Sequence, residues 1–418
     1  MDCCSYTRQY LRLGHMGAWV NGVLYDPADL GKASSIAVLV MHSDGDYLDF
    51  IAGRELARRG FRTLCANTNP RSLDKKLPDV GECVNFMRSL EGIEKVVILG
   101  HSGGATLMSC YQAVAENGCG VFQGPEKIVP CCDLPSLPPA DGVMLLDSNF
   151  GNGAMTLLSV DPCVLDDENG REQDERYDLA KAPGYAADGS HYSEDFVKAY
   201  QKAQAERNNR LIERALARLK ALEAGEGKFA DDEVFIAAGA AQFGPCNRLF
   251  PQDIRYLAHT KKPWPLLRGD GSVSIQQVPS VRRSKPAPAF TENMSGCVVS
   301  TVREYLASRA VRALPDYSYD ASGVYGIDYD SSFCCTPGNV RHIHAPLLVM
   351  GMTAGYEFLA GELIYENAAS ADKTLAFVEG ATHIFTTAKD CEEVPGQFGD
   401  CTKTLFDYVA AWLRAGHV

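Results

Sequence analysis

The chain of 418 residues has 46% hydrophobic residues, 22% charged residues and a net charge of −13, which is the composition of an ordinary globular protein. The acidic balance argues against nucleic acid or an anionic membrane surface as a partner, and no apolar run approaches the ~18 residues that span a bilayer. At about 150 residues per domain, the length predicts two or three units, or one core with a large insertion.

The cysteines and the N-terminus favour a cytoplasmic protein. The 15 cysteines are an odd number, scattered or adjacent as in Cys334-Cys335, with no C-x-x-C pair. This pattern predicts reduced thiols that pack as small apolar side chains, rather than a zinc site or a disulfide framework. The first residues, Met1 to Tyr6, lack the basic flank and apolar core of a secretory signal.

Short apolar runs alternate with helical patterns over the first 150 residues. Strands are predicted over 36–41, 61–65, 95–99 and 142–146, and helices over 50–59, 80–90 and 103–115. The alternation returns near the C-terminus, with strands at 346–350 and 374–378 and helices at 361–369 and 402–414. Such alternation predicts an α/β fold, in which a mostly parallel central sheet carries helices on both faces.

The pattern changes in the middle of the chain. A long charged helix is predicted over 193–222, with Ser193 as its N-cap, and proline-rich, basic and tyrosine-rich stretches follow it. We therefore expect a largely helical cap, inserted after the strand that ends near Leu146. The long helix is expected to be a cap element or the contact of a homodimer. The predicted units are a first core part at 1–148, the cap at 149–342 and a second core part at 343–418.

A serine stands between glycines where the strand at 95–99 meets the next helix. The segment Gly100-His101-Ser102-Gly103-Gly104 matches G-x-S-x-G between a strand and a helix, the context that this motif requires. The glycines leave room for a strained serine conformation with an exposed hydroxyl group. The helix N-terminus aims free N–H groups at a developing oxyanion. The motif therefore indicates a nucleophile rather than a simple bend.

A serine nucleophile needs a base, and nine histidines are available. His383 lies in Glu379-Gly-Ala-Thr-His383, a short loop directly after the last predicted strand. That loop can bring an imidazole over the carboxyl edge of the sheet, where Ser102 also lies. His101 is adjacent to the serine, but the turn is expected to point its side chain elsewhere.

These features resemble those of the α/β-hydrolase superfamily over residues 15–150 and 340–418. In that family the catalytic groups follow the chain order serine, acid, histidine, and Ser102 and His383 fit the first and last places. The resemblance implies the α/β-hydrolase fold and acyl transfer on a small-molecule substrate, with no metal or organic cofactor.

The resemblance also implies an oxyanion hole. In the family, the strand before the first helix usually ends in His-Gly, and the loop that follows donates a backbone N–H group. Here the corresponding segment reads Met41-His42-Ser43-Asp44, so serine replaces the glycine. By position, the N–H groups of Gly103 and of Asp44 or Ser43 would form the hole.

The acid departs from the family pattern. An aspartate usually follows the strand predicted at 346–350, but the turn here reads Gly351-Met-Thr-Ala-Gly355-Tyr-Glu357. Glu357 is the first choice for the carboxylate that orients His383. Asp147 is the second choice, because some members carry their acid after the preceding strand, and Glu362 at the start of the next helix is the third.

The reaction that the resemblance implies is hydrolysis of a carboxylic ester or lactone through an acyl-enzyme on Ser102, with a small to medium, apolar substrate. Acyltransferase and carbon–carbon bond hydrolase chemistries stay open on the same fold, because fold does not fix function. A ligand-binding module with a vestigial triad is the alternative from another class. The acid separates the two classes, since only a hydrolase needs a carboxylate on His383.

Overall fold

The computed structural model describes residues 5–14, 18–168, 170–242, 248–284 and 296–418. The strands are β1 (Tyr6–Leu13), β2 (Val20–Pro27), β3 (Ile36–His42), β4 (Arg62–Asn67), β5 (Lys95–Ser102), β6 (Gly142–Ser148), β7 (Val234–Ala237), β8 (His259–Leu267), β9 (Val273–Pro279), β10 (Val298–Thr301), β11 (Arg312–Tyr319), β12 (Val324–Asp328), β13 (Leu347–Met352) and β14 (Lys373–Val378). The helices are α1 (Ile51–Ala57), α2 (Leu73–Ser89), α3 (Gly104–Asn117), α4 (Asn152–Ser159), α5 (Glu194–Glu223), α6 (Val302–Ser308), α7 (Thr336–Asn339), α8 (Leu359–Asn367) and α9 (Cys401–Arg414).

Among the described residues, ten strands form one sheet in the order β1-β2-β4-β3-β5-β6-β13-β14-β8-β9. Neighbouring strands are parallel from β4 through to β8, whereas β1, β2 and β9 pair antiparallel at the two ends. The mostly parallel sheet predicted from the sequence is confirmed. Because parallel strands end at one edge, the residues that follow β3, β5, β6, β13 and β14 lie near one another.

Helices cover both faces of the sheet, and β3 shows how the sequence divides the two cores. Ala37, Leu39 and Met41 pack into a core that includes α2, α3 and α8. Val38 and Val40 point to the opposite core, which includes α1 and α9. Burial of each such aliphatic side chain contributes about 2 kcal/mol. A strand buried on both faces is apolar throughout, which is why periodicity predicted it well.

The inserted segment mixes helices and strands, so the largely helical cap expected from the sequence is not confirmed. It holds α4 to α7, with the long helix where it was predicted, but also β7 to β12. Strands β8 and β9 extend the main sheet, and β8 pairs with β14 only through Leu266 and Leu267. This strand was not predicted because it contains Pro263 and Pro265, and proline has no N–H group to donate to the hydrogen bonds between strands. The division of the chain at 148/149 and 342/343 stays a prediction.

Candidate active site

Ser102 lies in a strained turn at the carboxyl edge of the sheet. It is the last residue of β5, α3 begins two residues later, and its φ is 54°. Few non-glycine residues adopt positive φ, and such strain costs about 1–3 kcal/mol. A Cβ on Gly100 would lie 2.6 Å from Cα of Ala105, and one on Gly104 would overlap the carbonyl oxygen of Met41. The two glycines therefore allow helix and strand to approach closely around the serine.

His383 lies on the loop after β14, and its imidazole contacts a buried carboxylate. Its Nδ1 is 2.7 Å from Oδ2 of Asp147, which is 1% exposed. The other oxygen, Oδ1, accepts a hydrogen bond of 2.8 Å from the backbone N–H of Met352 on the neighbouring β13. Both carboxylate oxygens are therefore held, and the ring orientation of His383 is fixed from the end of β6.

The structure corrects the first choice for the acid, because the carboxylate on His383 is Asp147 and not Glu357. One oxygen of Glu357 accepts a hydrogen bond of 3.3 Å from the backbone N–H of Tyr356, so this carboxylate folds back onto its own turn. Since β6 lies between β5 and β13, a side chain at its end lies at the sheet edge that also holds Ser102, and there it contacts His383. The position of Asp147 directly after an apolar strand was the sequence signal.

Glu362, the third choice, holds β8 instead. Its two oxygens accept hydrogen bonds of 2.8 and 2.9 Å from the backbone N–H groups of Lys261 and Lys262. A further bond of 2.8 Å comes from Nε1 of Trp264. The buried carboxylate thus satisfies backbone donors of β8 before that strand pairs with β14.

The histidine and aspartate pair has shifted pKa values. Burial raises the pKa of Asp147 to about 6, although the hydrogen bond from His383 lowers it. Burial also lowers the pKa of His383, but the hydrogen bond to Asp147 and the negative charges of Glu357 and Asp147 outweigh it and raise this pKa to about 9. The imidazole therefore donates Nδ1–H to Asp147. The proton on its Nε2 is lost only in alkaline solution.

The loop after β3 runs beside the N-terminus of α3. A Cβ built on Gly103 would lie 2.9 Å from Oγ of Ser43 and 3.1 Å from Nε2 of His42. The backbone N–H of Asp44 donates to Nδ1 of His42 at 3.0 Å, so it is already engaged. This corrects the choice of the Asp44 N–H group as a donor to an oxyanion. The backbone N–H of Ser43, the other candidate from the sequence, remains as the partner of the Gly103 N–H.

Asp44 supports this loop through its side chain. Its carboxylate accepts hydrogen bonds from Oγ of Ser43 at 2.7 Å and from Nζ of Lys76 at 3.1 Å. The buried ammonium group of Lys76 also lies 2.5 Å from the carbonyl oxygen of Ser43. Burial raises the pKa of Asp44, but Arg309 and Lys76 outweigh burial and hold it at about 2. Sequence reasoning missed this network, because its members lie on three separate segments.

His42 is a neutral imidazole with a defined tautomer. Its Nδ1 accepts backbone N–H groups from Asp44 at 3.0 Å and from Gly45 at 2.7 Å, so the proton resides on Nε2. Burial lowers its pKa to about 4. His42 therefore stays uncharged at neutral pH and fixes the backbone of the loop that approaches Gly103.

A cavity of about 910 Å³ lies in the inserted segment, between α5, β7 and residues 167–168 and 170–181. Its charged lining is largely paired. Arg218 contacts Glu233 at 2.5 Å, and Arg214 lies 3.8 Å from Asp167. This cavity is separate from the residues around Ser102.

The strand order and the positive-φ serine between β5 and α3 define an α/β-hydrolase fold. No protein-family model matches the sequence. No curated protein matches it either.

Solved structures match most of the chain, at low sequence identity and with TM-scores below 0.5. A soluble variant of monoglyceride lipase from Saccharomyces cerevisiae, in complex with a substrate analogue, is 12% identical, with a TM-score of 0.44 over 100% of this chain and 98% of that one. Est1E from Butyrivibrio proteoclasticus is 10% identical, with a TM-score of 0.41 over 97% of each chain. A structure from a study of two fungal esterases of Rhizomucor miehei is 11% identical, with a TM-score of 0.41 over 100% of this chain and 85% of that one. Because these identities and TM-scores are low, only the geometry of the site supports a function for the chain.

Within the described ranges, no helix is both long enough and apolar enough to span a bilayer. The same residues contain no group of three or more histidine, cysteine or acidic side chains arranged to hold a metal ion.

Proposed function

We propose that the protein is a serine hydrolase that cleaves carboxylic esters. Ser102 is the nucleophile, His383 the general base and Asp147 the acid that orients the base. The observation that carries this proposal is the 2.7 Å contact between Nδ1 of His383 and Asp147, at the sheet edge that also holds the positive-φ serine. A binding module would have no need of a buried carboxylate on a loop histidine.

Each group has a defined task in the proposed reaction. The neutral Nε2 of His383 takes the proton of Ser102 as Oγ attacks the ester carbonyl, while Nδ1–H stays on Asp147. The N–H groups of Gly103 and Ser43 bind the resulting oxyanion, and each such donor is worth about 3 kcal/mol in the transition state.

His383 then gives its proton to the departing alcohol as the carbon–oxygen bond breaks. Water enters, loses a proton to His383 and attacks the acyl-enzyme, and Ser102 regains its proton as the acid leaves.

We extend the proposal to small or medium apolar esters and lactones in the cytoplasm. Reduced thiols support that location, since no disulfide joins any two of the cysteines that the structure describes. A panel of nitrophenyl esters of increasing acyl length, together with lactones of several ring sizes, tests the substrate class. A homodimer through α5 remains part of the proposal, and sedimentation velocity tests it.

Treatment with a fluorophosphonate followed by intact mass tests the nucleophile. We expect one adduct on the wild type and none on Ser102→Ala. Ser109→Ala is the matched control, because Ser109 is a buried serine on α3, the helix that follows Ser102, and its loss should leave labelling unchanged. An unlabelled wild type, or an equal adduct on Ser102→Ala, would remove Ser102 as the nucleophile.

A further inference from the structure

His101, the residue before the proposed nucleophile, is bound through both ring nitrogens. Its side chain is buried, its Nδ1 lies 2.5 Å from the hydroxyl oxygen of Tyr47, and its Nε2 lies 2.6 Å from the carbonyl oxygen of His383. It therefore points away from the face that Ser102 presents, as the sequence analysis expects, and it reaches the backbone of the loop that carries the base.

These two partners fix the tautomer of His101. A carbonyl oxygen can only accept, so Nε2 must carry the proton that it donates to His383. Burial lowers the pKa of His101 well below its ordinary value, which leaves one proton on the ring. Nδ1 is therefore an acceptor, and the hydroxyl group of Tyr47 is its donor. The chain of bonds runs in one direction, from Tyr47 through His101 to the carbonyl of His383.

Aromatic packing holds the ring of His101 in place. Phe50 stacks on it with centroids 4.9 Å apart, and Phe385 meets it edge-on at 4.7 Å. The ring of His383 lies 4.5 Å away. Tyr47 in turn stacks on Phe50 at 4.4 Å. His101 thus has little freedom to move, so a bond from it defines where the carbonyl of His383 lies.

The loop that carries His383 needs such an anchor. Other backbone bonds of the loop lie on either side of the histidine; they include those from Ala354 N–H to the carbonyl of Ala381 and from Thr382 N–H to the carbonyl of Thr386. Phe385 has a positive φ of 70°, a strained conformation for a non-glycine residue. The bond from His101 adds a hydrogen bond to the ring contacts that tie this loop directly to the turn that carries Ser102.

We propose that Tyr47 and His101 are positioning residues that set the distance between the base and the nucleophile. Tyr47 holds His101 in the Nε2–H form, and His101 holds the backbone of His383 against the residue next to Ser102. The inference rests on the proposed function, since it assigns His383 as the base. Both side chains are buried, so their role is to position other groups and not to bind the substrate. Their effect is on kcat, because a displacement of 1 Å at a reacting group costs about 100-fold in rate.

Three substitutions separate positioning from simple packing. His101→Leu removes both bonds, Tyr47→Phe removes only the donor that fixes the tautomer, and His101→Gln places an amide N–H close to the position of Nε2. Tyr111→Phe is the matched control, because Tyr111 is a buried tyrosine on α3 whose hydroxyl group donates to the carbonyl oxygen of Pro138.

Two readouts are measured on the full chain. Ester turnover gives kcat and KM, and we expect His101→Leu to lose about 100-fold in kcat at nearly constant KM, with His101→Gln recovering most of the loss. Nitrogen-15 NMR of the histidine side chains reports the second readout without catalysis. We expect an Nε2-protonated His101 in the wild type, and a His383 Nδ1–H resonance that persists in His101→Gln and broadens in His101→Leu.

The outcomes distinguish this inference from the proposed function. An unchanged kcat and an unchanged His383 resonance in folded His101→Leu would overturn the positioning role. So would a Tyr47→Phe variant that behaves as Tyr111→Phe in both readouts. If the wild type shows the expected resonances and their response but no phosphonate adduct, the proposed function fails while the anchor between His101 and the His383 loop stands.

Discussion

Asp147 lies at the end of β6 and Glu357 lies beyond the neighbouring β13, yet only Asp147 contacts the histidine. Asp147 is buried near the end of an apolar strand. One of its oxygens accepts a hydrogen bond from His383, and the other accepts one from a backbone N–H group of β13. Glu357 lies five residues beyond β13, and its carboxylate turns back onto its own loop. A carboxylate can orient a base when a rigid strand end fixes it, whereas a loop carboxylate of equal charge acts only through its electrostatic field.

The largest expected effect comes from Asp147→Asn. An asparagine cannot hold His383 in the tautomer that leaves Nε2 free, so kcat should fall about 10⁴-fold with little change in KM. Steady-state kinetics on a nitrophenyl ester measures this loss. Circular dichroism checks that the variant is folded, and a loss below about tenfold would place the orienting acid elsewhere.

The pH profile is expected to show a large effect. His383 must be neutral to accept the proton of Ser102, and its pKa is raised to about 9, so its protonated form dominates at neutral pH. The value of kcat/KM should therefore rise about tenfold per pH unit below that pKa and then level off. A plateau already reached at pH 6.5 would show that Asp147 and Glu357 do not raise the pKa of His383.

Glu357→Gln should have a small effect on the same profile. The charge of Glu357 raises the pKa of His383, so its removal should move the acid limb of the profile to lower pH. Activity at neutral pH should then rise slightly, and the plateau should stay within about threefold of the wild type. A loss of several orders of magnitude in the plateau would restore Glu357 as the orienting acid.

Glu362→Ala should have the smallest effect on activity and a clear effect on stability. It leaves the backbone donors of Lys261 and Lys262 and the indole N–H of Trp264 without their acceptor. We expect urea unfolding to show a loss of about 3 kcal/mol, with kcat changed less than about threefold. A stable variant with strongly reduced kcat would place Glu362 in the active site.

Much of the fold could be predicted from the sequence, because buried parallel strands are apolar throughout and glycines mark their turns. β3 to β6, the turn at Ser102 and the loop at His383 belong to this class. The hairpin β1–β2 was not predicted, since most side chains of β1 are exposed or half-buried and carry no core pattern. β8 was missed because its prolines resemble a loop.

Ser102 and His383, the proposed nucleophile and base, could be found from the sequence, whereas the groups that support them could not. The choice between Asp147 and Glu357 depends on where two side chains point, which chain order does not determine. The engagement of the Asp44 N–H by His42 and the bond from His101 to the carbonyl of His383 join segments that are distant along the chain. Such contacts leave no periodic signal, so only the structure reveals them.

The most direct test of the account compares the rate of fluorophosphonate labelling of Ser102 in three proteins, the wild type, Asp147→Asn and Glu357→Gln, by intact mass at pH 9. We expect rapid labelling of the wild type and of Glu357→Gln, and slow labelling of Asp147→Asn. Equal rates in all three proteins, or slow labelling of Glu357→Gln alone, would contradict this expectation.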